Sequence, residues 1–248
     1  MKTWCAGSST SELAFTRLDF GMLLAGMTLL AMIGLPVLAG NRPVSERTVC
    51  FNNLRRAGHA IHLWANDHGE RTSWNTPTLE GGTRGIDNSF RNEAWFQMGF
   101  MSNQMVTPSI LVCPSDRDVV GAPRKMAADF SNNNPNGGFS ALGFRDASLS
   151  YIVGLHTLFD APNSILSGDR NIIWDFRNSA CSVGVVASVG WTIPNADTKW
   201  TNAIHGLSGN LLFSDGRVEQ LSTTGLQRAA SDPRQGTAGS SDHFLAPN

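Results

Sequence analysis

The chain has 248 residues, of which 19 are Lys or Arg and 20 are Asp or Glu, so its formal net charge at pH 7 is -1. Nucleic-acid binders hold phosphates with an excess of basic residues, and this charge balance excludes a protein of that class. The hydrophobic content of 41% excludes a long disordered chain. The charged fraction of 16% is below the roughly 25% of ordinary soluble domains, which indicates long uncharged segments.

The longest uncharged segment of the N-terminal region runs from Phe20 to Asn41 and is almost entirely apolar. About 20 apolar residues in a helix, at about 1.5 Å per residue, span a hydrocarbon core of about 30 Å. A cleaved secretory signal has an apolar stretch of only about 7–15 residues. The segment is apolar on all sides and begins near the N-terminus, which argues against a core helix. We therefore predict a single transmembrane helix over residues 20–41.

The residues before this segment, Ser11 to Asp19, read SELAFTRLD and resemble the cleavage and methylation signal of type IV pilins and type II secretion pseudopilins. In this comparison Ala14 takes the small position before the cut, Phe15 the new N-terminus and Asp19 the acidic position. The resemblance implies that a prepilin peptidase removes residues 1–14 as a leader on the cytoplasmic side of the membrane. The chain departs from the family pattern at Ala14, Arg17 and Asp19, where Gly, an apolar residue and Glu are usual. The alternative is an uncleaved single-pass anchor, with Arg17 and Asp19 at the membrane interface.

A second, amphipathic helix is predicted over residues 45–68, so that the N-terminal helical region covers residues 15–68 with its transmembrane part at 20–41. Its apolar residues recur at steps of three and four; they are Val49, Cys50, Leu54, Ala57, Ile61 and Trp64. Gly69 predicts the end of the helix. His59, His62 and His68 raise the alternative of a metal site, but no carboxylate or cysteine completes a ligand set. We predict a solvated face there and no metal.

Residues 69–248 are predicted to form an extracytoplasmic head that contains both helices and strands. Helical spacing of apolar residues predicts a helix over Phe90–Met105. A short strand is predicted at Ile110–Cys113, followed by a Cys-Pro-Ser-Asp turn, and another strand at Leu149–Leu155. Loops are predicted at residues 69–89 and 121–140. The two strands are expected to be the first strands of a sheet.

Asp169, Arg170 and Asn171 lie between the apolar pair Ile165–Leu166 and the apolar run Ile172–Phe176. Asp and Asn tolerate turn geometry, so this pattern predicts a turn between two antiparallel strands. Arg170 is expected to pair with a carboxylate. The alternative is a calcium site, since carboxylate and amide oxygens are the ligands of Ca²⁺, although the spacing matches no known calcium loop.

The strongest hairpin pattern lies near the C-terminus, where Asp215-Gly216 separates two apolar runs. Asp-Gly predicts a type I′ turn with positive φ at both residues, and Leu211 and Phe213 should share one face of the first strand. The spacing from His205 to Asp215-Gly216 resembles the H-x9-DG signature of pilin-like proteins found especially in planctomycete and verrucomicrobial lineages. His205 and Asp215 could form a catalytic pair, but no nucleophile motif or metal spacing accompanies them. We expect His205 to bind backbone at the base of the hairpin.

The resemblance to pilin-like proteins also bears on the four cysteines of the chain. Cys5 would leave with the leader, whereas Cys50, Cys113 and Cys181 would remain outside the cytoplasm, where disulfides form. In the similar proteins the pair equivalent to Cys50 and Cys113 recurs, which implies a disulfide between the second helix and the head.

These observations predict an α+β, pilin-like fold in which a long N-terminal transmembrane helix packs on an antiparallel β-sheet. The resemblance implies a structural, non-enzymatic subunit of a type II secretion or type IV pilus-like apparatus, in the inner membrane with its head in the periplasm. Its partners would be the prepilin peptidase, other pilin-like subunits, the secretion or pilus machinery and the membrane, with no nucleic acid and no required cofactor. The alternative is a membrane-anchored binding protein that does not polymerise and whose ligand is a glycan or a protein. A hydrolase using His205, Asp215 or Asp169 is a third hypothesis.

Overall fold

The computed structural model describes the backbone of residues 17–40, 42–87, 91, 93–117, 124–173, 189–192, 198–230 and 242–247, and their side chains except at 34–40, 42–44, 189–192 and 242–243. The chain divides into two units, residues 1–42 and 43–248, and each is described by itself. The predicted leader and Phe15 lie outside the described residues, as do Phe90, Phe176 and Cys181.

The first unit contains helix α1, Arg17–Gly40. Every large apolar side chain from Leu18 to Ile33 is exposed, and the exposed fractions reach 76% at Met32. Among the described residues, no helix combines the length and the apolar character that are needed to cross a membrane. The transmembrane segment at residues 20–41, whose last residue lies outside the description, stays a prediction.

Helix α2, Arg42–Asp67, opens the second unit and begins three residues before the predicted amphipathic helix. Its buried face follows steps of three and four, as predicted, and consists of Cys50, Leu54, Ala57, Ala60, Ile61, Trp64 and Ala65. The prediction for Val49 was wrong, since 41% of this residue is exposed. Gly69 has a φ of +67°, and Glu70 N donates to Ala65 O, which is the hydrogen bond that closes a Schellman ending.

The sheet of the second unit is antiparallel and has the strand order β4-β8-β1-β2-β6-β7. Its strands are β1, Tyr151–Gly154; β2, Ile165–Asp169; β4, Val189–Thr192; β6, Ser208–Phe213; β7, Val218–Ser222; and β8, Asp242–Leu245. Strands β3, Ile172–Ile173, and β5, Lys199–Trp200, pair separately. The predicted combination of helices with an antiparallel sheet, an α+β fold, is therefore confirmed.

Helix α2 packs against one face of the sheet at very close range. A Cβ atom at Gly58 would lie 2.8 Å from Leu212 Cδ1 of β6, so a larger residue at this position would require the Leu212 side chain to move. Leu212 belongs to the core that α2 covers, whereas Leu211 and Phe213 belong to a second core with Trp200. Leu211 and Phe213 thus share a face, as predicted. The second core is completed by Leu226 of helix α5, Thr223–Ala230.

Three local predictions were wrong. Residues 108–111 form a 3-10 helix rather than the start of a strand, because Pro108 at the first position follows a Thr107 cap that accepts from Ser109 N. The helix predicted to end at Met105 is broken at Met101 into α3, Ala94–Phe100, and α4, Ser102–Met105. Strands β2 and β3 do not form a hairpin, since β2 pairs with β1 and β6 whereas β3 pairs with β5.

The hairpin of β6 and β7 is present, but its turn differs from the predicted type I′. Gly216 has a φ of +84°, whereas Asp215 is not among the residues with positive φ. Gly216 N donates to Phe213 O and Phe213 N donates to Arg217 O, which leaves a three-residue loop. Loops of this length combine an ordinary turn with one left-handed residue, and Gly216 supplies it.

A strained turn follows α4 at Val106, whose φ is 65° and ψ is -47°. Thr107 N donates to Met105 O at 2.7 Å, so Val106 is the centre of a γ-turn of the rare, positive-φ form. The Val106 side chain is 84% exposed and gains little from packing. A β-branched residue is therefore held in an unfavourable conformation without compensation from its own side chain.

We expect Val106→Gly to raise the free energy of unfolding by roughly 1 kcal/mol, since relief of about 1–3 kcal/mol of strain exceeds the entropic cost of a glycine. Val106→Ala is the matched control, because it removes the same exposed side chain but keeps the strain, and it should change stability by less than about 0.5 kcal/mol. Urea unfolding of the three proteins measures both values. Equal stability of the glycine and alanine variants would contradict the strain.

Candidate functional site

The structure separates the predicted site residues into two groups at opposite ends of β6. His205 precedes this strand and Asp215 follows it, and a six-residue strand spans roughly 20 Å. His205 and Asp215 therefore cannot act together on one substrate atom, and the hypothesis of that catalytic pair was wrong. His205 lies instead with Asp169, Cys50 and Cys113, whereas Asp215-Gly216 faces the polar side of α2.

Cys50 and Cys113 form a fully buried disulfide, with 4.9 Å between their Cα atoms. The bond joins α2 to the segment that leads into the Cys-Pro-Ser-Asp turn. Two further contacts reinforce the junction: Tyr151 OH donates to Cys50 O, and Asn53 Nδ2 donates to Val112 O. The helix is thus fixed to the head by one covalent bond and by polar contacts on both sides of it.

The imidazole of His205 lies against this disulfide in the protein interior. Its Nε2 is 3.5 Å from Cys113 Sγ and 3.6 Å from Asp169 Oδ2, and its Nδ1 has no hydrogen-bond partner among the described residues. Burial and the nearby charge of Arg47 lower the pKa of His205 to about 4. Burial and the charge of Arg47 therefore favour the neutral form of the His205 imidazole.

Asp169 is the acidic partner in this cluster and is completely buried. Its Oδ2 accepts hydrogen bonds from Asn210 N at 2.7 Å and from Asn210 Nδ2 at 3.0 Å, whereas Oδ1 has no partner among the described residues. Burial raises the pKa of Asp169 to about 7, although the two hydrogen bonds from Asn210 oppose this shift. Carboxylate and imidazole are thus both driven towards their neutral forms by desolvation.

The loop that carries His205 has an unusual backbone. His205, Gly206 and Leu207 have successive φ values of 54°, 59° and 59°, which is a left-handed turn. Asn171 Nδ2 stabilises it through contacts of 2.8–3.1 Å with the carbonyl oxygens of residues 201, 204 and 208. Arg47 Nη2 donates to His205 O at 2.6 Å. The expectation that the His205 side chain binds backbone was wrong, since its Nε2 lies beside Cys113 Sγ and Asp169 Oδ2, and the hydrogen bond from Arg47 is made to its carbonyl group.

The same contacts bear on the calcium hypothesis for Asp169 and Asn171. Asn171 directs its amide nitrogen at three carbonyl groups, and the Oδ2 of Asp169 accepts two hydrogen bonds. The other oxygen of each side chain, Asp169 Oδ1 and Asn171 Oδ1, has no hydrogen-bond partner among the described residues. Calcium binding at this turn stays a hypothesis.

Arg170 forms the ion pair that the sequence predicts, and its partner is Asp116 of the Cys-Pro-Ser-Asp turn. Its Nε and Nη2 donate to Asp116 Oδ2 and Oδ1 at 2.9 and 2.7 Å, and Arg124 Nε donates to Oδ2 at 3.2 Å. The side chain of Asp116 has no exposed surface. Sequence reasoning missed Asp116, although an acidic residue in a turn directly after a buried cysteine was a signal for it.

The second group of residues lines an open cleft of about 720 Å³ between α2 and the β6–β7 turn. His59, His62, Phe159 and Asp215 lie on its walls. The prediction of a solvated face holds for His59, which is exposed, but not for His62, which is half-buried and packs edge-on against Phe159. The Nε2 of His62 has no hydrogen-bond partner among the described residues. Burial, and next the charge of His59, lower the pKa of His62, while Asp215 opposes them.

The paired shifts of Asp169 and His205 predict a distinctive pH dependence of stability. In the unfolded chain at about pH 4–6.5, His205 carries a proton and Asp169 does not. In the folded protein, with pKa values of about 7 for Asp169 and about 4 for His205, the proton is on Asp169. Both states hold one proton, so the pair contributes no slope to stability against pH.

Single substitutions should expose two slopes of opposite sign. In His205→Gln the folded state holds the extra proton on Asp169, so the free energy of unfolding should fall as pH rises from about 4 to 7, by up to about 1.4 kcal/mol per unit relative to wild type. In Asp169→Asn the unfolded state holds the extra proton on His205, so the free energy of unfolding should rise as pH increases from about 4 to 6.5. Urea unfolding of the oxidised proteins at several pH values measures this. Profiles parallel to wild type in both variants would contradict the predicted shifts.

Comparison of this chain with protein-family models, with curated proteins and with solved structures found no match. Its resemblance to pilin-like proteins therefore depends on the short motifs quoted above. Among those motif residues, His205 contacts both Asp169 and the disulfide that joins α2 to the head, whereas Asp215-Gly216 lies at the other end of β6.

Proposed function

We propose that the chain is a structural, pilin-like subunit that is held in the inner membrane by its N-terminal helix and assembles with other subunits through it. The observation that carries this proposal is the exposure of every large apolar side chain of α1 from Leu18 to Ile33. A helix that is apolar all round requires a cover of lipid or of other helices. Membrane lipid and the equivalent helices of neighbouring copies provide that cover.

The acidic residue of the signal gives the assembly its specificity. Asp19 lies in the first turn of α1, among residues that are otherwise apolar or small apart from Arg17. A carboxylate in an apolar surrounding is costly unless it is paired. After cleavage between Ala14 and Phe15, the new amino group of one copy would pair with Asp19 of its neighbour and fix the axial stagger of two helices.

The second unit supports an extracytoplasmic position for the head. The Cys50–Cys113 disulfide suits an oxidising compartment such as the periplasm. The disulfide attaches α2 to the head, and the Asp116–Arg170 pair and the Asn171 contacts stabilise the turn and the loop beside it. A head fixed in this manner could transmit force from the assembled helices to cargo or to neighbouring subunits.

Crosslinking in membranes tests the assembly. Gly26 is suitable for a cysteine, since a Cβ there would meet no atom within 4 Å. In a chain with Cys5→Ser and Cys181→Ser, we expect Gly26→Cys to give a crosslinked dimer with a short bismaleimide, because one free thiol per chain can be joined to only one other chain. Adding Asp19→Ala should reduce the yield of this dimer at least about tenfold, the equivalent of about 1.4 kcal/mol, whereas Asp19→Glu should keep it.

The matched control is Leu142→Cys, which places the thiol at a residue of the head that is 83% exposed and should give no crosslinked dimer. Mass mapping of the protein extracted from membranes should find a mature N-terminus at Phe15. An intact Met1 would contradict cleavage. A dimer yield that is unchanged by Asp19→Ala would contradict the pairing of Asp19 in the assembly.

The second candidate is a membrane-anchored binding protein that does not polymerise, and the cleft beside α2 favours it. An aromatic ring, two imidazoles and a carboxylate around about 720 Å³ are a suitable lining for a saccharide. For this function, full-length protein in detergent should bind members of a glycan array, and Phe159→Ala should abolish that binding while Leu142→Ala does not. Glycan binding without a crosslinked dimer would favour this candidate over the subunit.

A further inference from the structure

The cluster around the disulfide contains the ligand atoms of a metal site. Cys50, Cys113 and His205 are all buried, and their ligand atoms lie within 4.8 Å of one another. Among the described residues this is the only such group of three or more. Asp169 adds a fourth atom, because its Oδ2 is 3.6 Å from His205 Nε2.

The contacts within the cluster leave polar atoms unsatisfied. The distance of 3.6 Å from His205 Nε2 to Asp169 Oδ2 is longer than a good bond from an imidazole to an oxygen, and the contact of 3.5 Å with Cys113 Sγ is a weak hydrogen bond to sulfur. His205 Nδ1 and Asp169 Oδ1 have no partners among the described residues. Buried polar atoms that converge without satisfying one another require an explanation.

We propose that the dithiol form of this protein binds a zinc-class divalent cation through Cys50, Cys113, His205 and Asp169, and that the disulfide and the metal are alternative closures of the same junction. Two thiolates, an imidazole and a carboxylate are ligands that Zn²⁺ accepts in tetrahedral sites. The site differs from the His59, His62 and His68 cluster, in which the sequence indicated no metal.

Two distances in the cluster already suit a tetrahedral site. Bonds of about 2.0–2.3 Å to nitrogen, oxygen and sulfur place neighbouring ligand atoms roughly 3.4–3.8 Å apart. The separations of 3.5 and 3.6 Å from His205 Nε2 to Cys113 Sγ and Asp169 Oδ2 lie in this range. The two sulfur atoms have to separate once the disulfide is reduced, and Asp169, which lies outside the group of three, has to move closer to them.

The chemistry of the exchange is balanced. A dithiol reductant breaks the bond between the two sulfur atoms, becomes a cyclic disulfide itself and leaves two thiols on the protein. The cation then displaces one proton from each thiol as two metal–sulfur bonds form, so two protons are released to solvent. Arg47, whose Nη2 donates to His205 O, supplies positive charge beside the three anionic ligands.

Cobalt titration tests this proposal, because Co²⁺ bound to thiolates in a tetrahedral site gives intense sulfur-to-metal charge-transfer bands and visible ligand-field bands. Full-length protein in detergent is reduced with a dithiol, freed of reductant under argon and titrated with Co²⁺. We expect one equivalent to bind with both sets of bands, Zn²⁺ to displace it, and the oxidised protein to give neither set. Circular dichroism of the same samples should show that the cobalt-bound chain is folded.

The variants separate this site from its competitors. Cys50→Ser and Cys113→Ser should abolish the charge-transfer bands or shift them strongly, and His205→Ala and Asp169→Asn should each weaken Co²⁺ binding by about 10–100-fold. Cys181→Ser and the double variant His59→Ala, His62→Ala are the controls and should bind as wild type does.

Several outcomes would overturn the proposal. Equal Co²⁺ binding by oxidised and reduced protein would do so, as would full Co²⁺ affinity in His205→Ala. Loss of Co²⁺ binding in Cys181→Ser or in the double histidine control would also do so. The last such outcome is a reduced chain that stays unfolded with Co²⁺. As a second measurement, Zn²⁺ should protect two thiols of the reduced wild type, but not of His205→Ala, from alkylation as read by mass spectrometry. Alkylation of those thiols at the same rate with and without Zn²⁺ would also overturn it.

Discussion

The attachment of α2 to the sheet is the interaction on which the rest of the second unit depends. At Gly58 the helix comes so close to Leu212 that a side chain there would displace the leucine, and eight residues earlier the Cys50–Cys113 bond holds the helix. Van der Waals packing fixes how near the helix lies, and the covalent bond fixes where along its length it is held. The hydroxyl of Tyr151 donates to Cys50 O, and Tyr151 lies opposite Asp169 in the sheet. The contact between α2 and β1 therefore also positions the buried cluster around Asp169.

The loops of the junction follow from that attachment, because each of them leaves polar groups that the junction must satisfy. The turn after Cys113 presents Asp116, and a buried carboxylate is costly unless it is paired. Arg170 and Arg124 pair with it, and the position of Arg170 places Asn171 against the loop of His205. A left-handed turn of three residues, two of which are not glycine, is stable here because Arg47 binds the carbonyl group of His205 and Asn171 binds the carbonyl groups of residues 204 and 208 on either side of the turn.

The sequence predicts the elements whose physical basis is local. The apolar spacing of α2, the glycine at its end, the strand at Tyr151 and the hairpin of β6 and β7 depend on neighbours within a few residues, and the structure contains all four. The failures occur where distant residues decide. Ile172 resembles the return strand of a hairpin, yet it pairs with Trp200, and no pattern around either residue encodes that choice. In the same way, Asp169 and Asn171 look like turn residues in the sequence, but burial and contacts across 30 or more positions determine what they do.

A buried carboxylate next to a buried imidazole is a poor means of stabilising a fold, because desolvation of two ionisable groups offsets much of what their contacts contribute. The arrangement makes more sense as a constraint on which structure forms. A slip of β2 by one residue would turn Asp169 to the opposite face, away from Asn210 and His205, and would leave its carboxyl group without these partners. Apolar side chains at these positions would tolerate such a slip more readily. The cluster therefore selects one register of the sheet beneath α2.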